Sequence, residues 1–331
     1  MSSEIIEQFK KKFSIQDKKN IKKSNKKPIS HSGFEPPYEP HKWTQHNALE
    51  SHNCYSYMLN DLFARERPGN KPQPGSYAAK TQKDIENIIS KINRVQCSVK
   101  RAVLHDNSVI RMIPLKKGEK YECKPHHYKG FLMISPGRDY HFARQDNRMI
   151  SVYRKLHSLH KNKTLKFPIQ KTKILNLINQ TIDTEIPEIV ILSKLKLGKN
   201  HNSSQRIKKI MSFAKIWSHK PGSTQVSEKD ANNNYILNPS ESNWNFSSQG
   251  GINYSINCAY FEIPTNYYKH TKSTGVMSNT VLDPKNIRRD LSATPQDRQF
   301  ENLLHMLISK KQTAQNLVRS KKFLKKLQKL N

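Results

Sequence analysis

Only four cysteines occur in the 331 residues, Cys54, Cys97, Cys123 and Cys258. They are too few and too scattered for a disulfide framework, so a reducing intracellular compartment is the expectation. Glycine is scarce too, at 11 residues, and no phosphate-cradling loop of the Walker or dinucleotide kind is among them. Long hydrophobic runs are missing. Ile189-Val190-Ile191-Leu192 ranks with the longest, far short of a bilayer span, and no secretory apolar region follows Met1-Ser2-Ser3-Glu4. No membrane span is expected. Apolar residues make up 34% of the chain and mean hydropathy is -0.83, so part of the chain is expected to be solvated or disordered.

Acidic residues are the remaining shortage: 26 against 58 Lys and Arg, a formal charge of +32. The excess is unevenly placed. Residues 1–30 carry nine basic against three acidic residues, 146–213 fourteen against four, and 296–331 nine against two. Those segments hold +23, leaving +9 for the other 197 residues. Polyanion or nucleic-acid binding through basic arms is therefore an expected property, separate from any chemistry of the intervening chain. Usage rich in Lys, Asn and Ile is also what an AT-rich genome produces, which lowers the weight of the charge.

Along the chain, residues 1–33 read as a mobile basic arm and Phe34 to Pro40, with three prolines, as an extended lead-in. Tyr55, Met58, Leu59 and Leu62 recur at helical spacing over Cys54 to Arg65, and a second helix is expected over Thr81–Ile92. Val109–Pro114, Tyr128–Ile134, Tyr140–Arg144, Ala214–Ser218 and Cys258–Ile263 read as strands. The predicted fold class is α+β. Its core comprises 34–145 and 214–265. A basic, largely helical insertion spans 146–213, a linker 266–295 and a basic amphipathic helix 296–331.

His52-Asn53-Cys54-Tyr55-Ser56-Tyr57 has the greatest chemical specificity. It sets a cysteine after polar residues at a helix start, where the helix dipole favours a thiolate and backbone N–H groups face outward. A buried structural thiol is the alternative. In Asp139-Tyr140-His141-Phe142-Ala143-Arg144, alternation puts Tyr140, Phe142 and Arg144 on one face and Asp139, His141 and Ala143 on the other. Small Ala143 leaves room for a helix beside His141, so a Cys–His pair is geometrically open; a plain amphipathic strand is the alternative. His219 either caps a strand or, on a register-matched neighbour, orients the His141 ring. Cys123 with His126 and His127 lacks a second pair of ligands at zinc spacing and reads as loop. Tyr254, Tyr260, Tyr267 and Tyr268 read as packing residues rather than base-stacking ones. No metal or cofactor is implied.

The ordered series Asn53-Cys54-Tyr55-Ser56-Tyr57-Met58-Leu59-Asn60, Lys71-Pro72-Gln73-Pro74-Gly75, Asp139-Tyr140-His141-Phe142-Ala143-Arg144-Gln145 and Trp217-Ser218-His219-Lys220-Pro221-Gly222 resembles uncharacterised proteins of large DNA viruses and some bacteria. These in turn resemble papain-like thiol hydrolases of the NlpC/P60 type. The resemblance spans about residues 45–265. It implies a cysteine-bearing helix packed on an antiparallel sheet, with Cys54 as nucleophile, His141 as base and His219 as its orienting partner. It further implies a cysteine hydrolase or acyltransferase acting on an amide or ester, and a place in a virion. In the family pattern the last two motifs follow closely. Here 146–213 separates them, which a loop leaving a hairpin accommodates at small entropic cost. A non-catalytic basic virion or nucleic-acid-associated protein with a hydrolase-like fold is the second expectation.

Overall fold

Runs of β-branched and aromatic residues form five strands: β1 Arg111–Ile113, β2 His127–Ser135, β3 Asp139–Gln145, β4 Trp217–His219 and β5 Ile256–Pro264. They pair antiparallel in the order β1-β5-β2-β3-β4, which makes the protein α+β. Gly137, at φ 68°, turns β2 into β3. The computed structural model describes residues 32–62, 71–75, 97–106, 109–161, 171–194 and 202–265, together with Thr81, Lys83, Asn87, Asp297, Glu301, Asn302, Leu304 and His305. Residues 1–31 of the predicted arm over 1–33, most of the predicted helix over 81–92, the linker beyond 265 and most of the C-terminal helix lie outside the described residues.

The described chain divides into two compact units. Residues 32–147 and 215–265 belong to one, and 148–214 to the other. The first contains the sheet and the short helices α1 Pro40–Thr44, α2 His46–Ser51, α3 Cys54–Met58, α4 Val99–Asp106 and α5 Leu115–Gly118. The second contains α6 Met149–Lys161, α7 Lys171–Glu185, α8 Pro187–Lys194 and α9 Ser203–Phe213. Within it α7 packs against the other three helices, burying Ile178, Ile182, Ile189, Ile207 and Ile210. Asn202 and Gln205 form a capping box that starts α9.

Alternation gives the sheet two differently filled faces. One holds Tyr55 and Met58 of α3 with Val103, Tyr128, Leu132, Phe142 and Phe261. The other holds Phe131, Met133, Ala143, Trp217, Trp244 and Tyr260. The helix bearing Cys54 therefore packs on the Phe142 face, with the Tyr55 and Phe142 rings 5.2 Å apart. This corrects the expectation that it would lie beside Ala143 on the His141 face. Small Ala143 is instead covered from the second cluster, while Tyr140 and Phe142 offer α3 the larger apolar surface. Gly130 allows the close approach: a Cβ there would stand 2.6 Å from the Met58 sulfur.

Two further differences from the sequence reading stand out. The helix begun at Cys54 ends at Met58 rather than running on towards Arg65. Asn60 turns the chain with φ 52° and accepts a hydrogen bond from the Arg144 guanidinium at 2.7 Å. A disulfide also joins Cys97 to Cys258 across 161 residues, leaving Cys54 and Cys123 as the free thiols. Cys258 is the residue skipped where the β2–β5 register steps from Leu132↔Ala259 to Met133↔Asn257.

Candidate functional site

Cys54 opens α3 because Asn53 caps it. The Asn53 side chain accepts from the Tyr55 and Ser56 amides at 3.0 and 3.2 Å, and Ser56 Oγ accepts from the Asn53 amide at 3.1 Å. Asn53 is itself fixed by donating from Nδ2 to the Pro72 carbonyl at 2.6 Å. Lys220, just past β4, donates to the carbonyls of His52, Leu49 and Gly222 at 2.7, 3.0 and 2.7 Å. The start of α3 is thus pinned from both the 71–75 loop and the end of β4.

β4 pairs with β3 only at Ala143, Arg144 and Gln145. The amides of Asp146 and Arg148 donate to the carbonyls of Ile216 and Ala214, while the His219 amide points away, to Ser227. Continuing this alternation, the Phe142 amide faces the side where β4 has already ended. The Cys54 thiol lies close enough to that position for the Phe142 amide to favour its ionised form. Its electrostatic neighbours come from both sheet faces: Asp139 and Tyr254 from one, Tyr140 and Lys220 from the other. The sulfur therefore lies at the open edge of β3, next to the residue that follows His141.

His141 and His219 are brought together. The Cα partner of His219 is Ala143, so His219 shares a sheet face with His141 two residues along. His141 Nε2 and His219 Nδ1 are 2.8 Å apart, and His219 Nε2 lies 2.9 Å from the Lys229 carbonyl. A carbonyl only accepts, so His219 carries its proton on Nε2. Burial holds His219 down at about 4 and pushes His141 well below the ordinary imidazole range, with the neighbouring His219 adding to the effect. Both rings are neutral at pH 7. His219 Nδ1 is then an acceptor, His141 Nε2 the donor, and His141 Nδ1 an unprotonated nitrogen. Among the described residues nothing donates to that nitrogen, and Cys54 and His141 form no direct hydrogen bond.

The thiol is as reluctant to ionise as the rings are. Burial first, and the Asp139 carboxylate second, push Cys54 up to about 12 against weaker opposition from Lys220 and the Phe142 amide. The dipole stabilisation expected from the helix start does not prevail, since α3 is only five residues long. The resting site is a neutral thiol beside a neutral imidazole. Its components are nearly enclosed, with Cys54, His141 and His219 at 6%, 2% and 1% exposure.

Sequence reading missed Asp139, Trp244 and Tyr254. A hairpin running from Trp244 to Tyr254, turned at Gly250 with φ 75°, delivers the two aromatics. Tyr254 stacks on His141 at 5.0 Å, and Trp244 meets His141 and His219 edge-on at 6.0 and 5.3 Å. Asp139 lies two residues before His141 and was the one legible member; no spacing signal points to the aromatics. Cys123, His126 and His127 stay apart from this centre, and Tyr260 is a core residue. Tyr267 and Tyr268 lie outside the described residues. Among the described residues no cluster of three or more His, Cys, Asp or Glu is arranged to hold a metal ion, and no helix is long and apolar enough to cross a membrane. No family model, curated protein or solved structure matches the chain.

Proposed function

We propose that this protein is a cysteine hydrolase or acyltransferase of papain-like organisation, acting on an amide or ester, with Cys54 as nucleophile, His141 as base and His219 as the residue that orients it. The carrying observation is the histidine relay. It ends on an unprotonated His141 Nδ1, one residue from the amide that acts electrostatically on the Cys54 thiol.

In this reading the thiol proton passes to His141 Nδ1 as the sulfur attacks the substrate carbonyl, forming an S–C bond. Collapse of the tetrahedral adduct breaks the bond to the amine or alcohol, which leaves with the proton from His141. Water, deprotonated by the same nitrogen, then cleaves the thioester, giving the acid and restoring the thiol. A second acceptor nucleophile in place of water makes the reaction a transfer. Because the resting pair is neutral, proton transfer accompanies attack rather than preceding it.

The test is acylation by an activated ester such as p-nitrophenyl acetate, followed by mass spectrometry. Acylation of Cys54 ahead of Cys123, abolished by Cys54→Ala and by His141→Ala, supports the reading. Equal labelling of both thiols, unaltered by His141→Ala, defeats it.

A second reading rests on the charge. Residues 146–213 hold fourteen basic against four acidic residues, and Lys208 of α9 is exposed. Binding of a nucleic acid or another polyanion through these basic segments is compatible with chemistry at Cys54. It predicts duplex DNA affinity that falls steeply with salt and survives Cys54→Ala.

A further inference from the structure

The Trp244–Tyr254 hairpin is long for a mere connection, and both of its ends finish on the histidine relay. We infer that Tyr254, fastened by Asp139, is a positioning residue that locks the His141 ring in the orientation and tautomer a base requires. This deepens the reading of His141 as the base and rests on it.

The geometry carries the inference. The Tyr254 ring lies nearly parallel to the imidazole of His141, at 5.0 Å and 27°. A stacked ring of this kind resists tilting of its neighbour while leaving the in-plane nitrogens free. Rotation of Tyr254 is restricted at two points: its hydroxyl donates to Asp139 Oδ2 at 2.9 Å, and its amide donates to the Trp244 carbonyl at 3.1 Å. Trp244 is anchored in turn by donating from Nε1 to the Pro239 carbonyl at 2.7 Å. The fastening carboxylate sits on β3 two residues from His141, on the same face, so ring and clamp share one rigid strand.

A hydrogen bond from His141 Nε2 selects the protonated nitrogen only while the ring stays aligned with His219 Nδ1, and by itself it leaves the ring free to pivot about that bond. The stack removes the pivot. Asp139 also bears on the thiol, since its carboxylate disfavours a second negative charge at Cys54. Other charged or titratable groups acting on the thiol are Lys220 beyond β4, Lys71 of the 71–75 loop, Tyr140 on β3 and Tyr254 itself. His219 is the titratable neighbour acting on His141.

The decisive experiment is ¹⁵N-edited NMR of the histidine rings in the full chain, because it reads tautomer and titration without needing a reactive thiol. In the unmodified protein, His141 should show a single Nε2–H tautomer with a titration midpoint well below the ordinary imidazole range. Tyr254→Leu, which keeps an apolar cover but no stack, should produce averaged tautomer shifts. It should also raise the His141 titration midpoint by about one unit as the ring loosens and hydrates. Asp139→Ala, with Tyr254 intact but unfastened, should give a smaller change in the same direction. If both variants fold and retain the tautomer and midpoint of the unmodified protein, the positioning role is wrong. If Tyr254→Leu fails to fold, an unchanged His141 spectrum in Asp139→Ala is enough to overturn it. Loss of the tautomer lock with no acylation of Cys54 in any form would instead sustain the clamp and refute the hydrolase reading.

Discussion

The two faces of β3 and β4 are built from alternate residues of the same two strands and do opposite things. On the α3 face, Arg144 donates from Nε to Asp146 at 2.8 Å and from Nη1 to the Tyr57 carbonyl at 3.0 Å, with its guanidinium 3.9 Å above the Tyr57 ring. The Tyr57 hydroxyl and Ser218 Oγ are 2.6 Å apart, and Ser218 closes the network on Asp146. On the other face, three residues before Arg144 on β3 and one after Ser218 on β4, His141 and His219 form a chain that ends on an open ring nitrogen. A buried polar network whose members bond one another fixes structure. One that ends on an unused lone pair at the sheet edge is equipped for proton transfer.

That contrast can be broken from either side. The largest effect belongs to the scaffold. The disulfide packs Cys97 and Cys258 against the same cluster as Phe142 and α3. Opening a 161-residue closure should lower stability by about 5 kcal/mol on the chain-entropy estimate. Comparing denaturant midpoints of the unmodified protein and Cys97→Ala checks this. Arg144→Ala comes next: it removes the guanidinium from the Asp146 carboxylate and should cost about 3–5 kcal/mol, read by the same unfolding curves.

The histidine face should show itself in pH dependence. A histidine buried in the neutral form has a folded-state pKa below its unfolded value. Its contribution is therefore complete above pH 6.5 and is lost as pH falls towards the folded value. For His219, depressed to about 4, that loss should be about 2 kcal/mol at pH 5 relative to pH 8. His141 acts in the same direction. His219→Leu should remove the His219 share of this slope and leave the shares of His141 and of His52, which burial also holds down at about 4, whereas Arg144→Met should leave all three. The smallest effect is expected of His219→Asn, which preserves an acceptor for His141 Nε2–H. Acylation of Cys54 should fall less than tenfold there, against about 10- to 100-fold for His219→Leu.

Much of this contrast was legible in the amino-acid sequence. Asn53 before Cys54 announces the helix start, alternation through Asp139–Arg144 sorts His141 from Phe142, and the strand expected over Ala214–Ser218 forms at Trp217–His219, just before the predicted turn. Three features were not. Which face receives a helix depends on the space left by Ala143 and Gly130, a matter of tertiary packing. The pairing of Cys97 with Cys258 carries no spacing signal across 161 residues. Tyr254 reaches His141 through a hairpin whose docking no local pattern encodes. The thiol's protonation was misjudged because a dipole from five residues is weak beside the cost of burial.

The central claim is that His141 acts as base for Cys54, and the pH–rate profile of Cys54 acylation by p-nitrophenyl acetate tests it most directly. The account predicts a rate that is already level between pH 6 and 8, because the base is unprotonated there, and that falls at least 100-fold in His141→Ala. A rate rising tenfold per pH unit through that range, the same in His141→Ala as in the unmodified protein, would mean a free thiolate reacting alone and would contradict it.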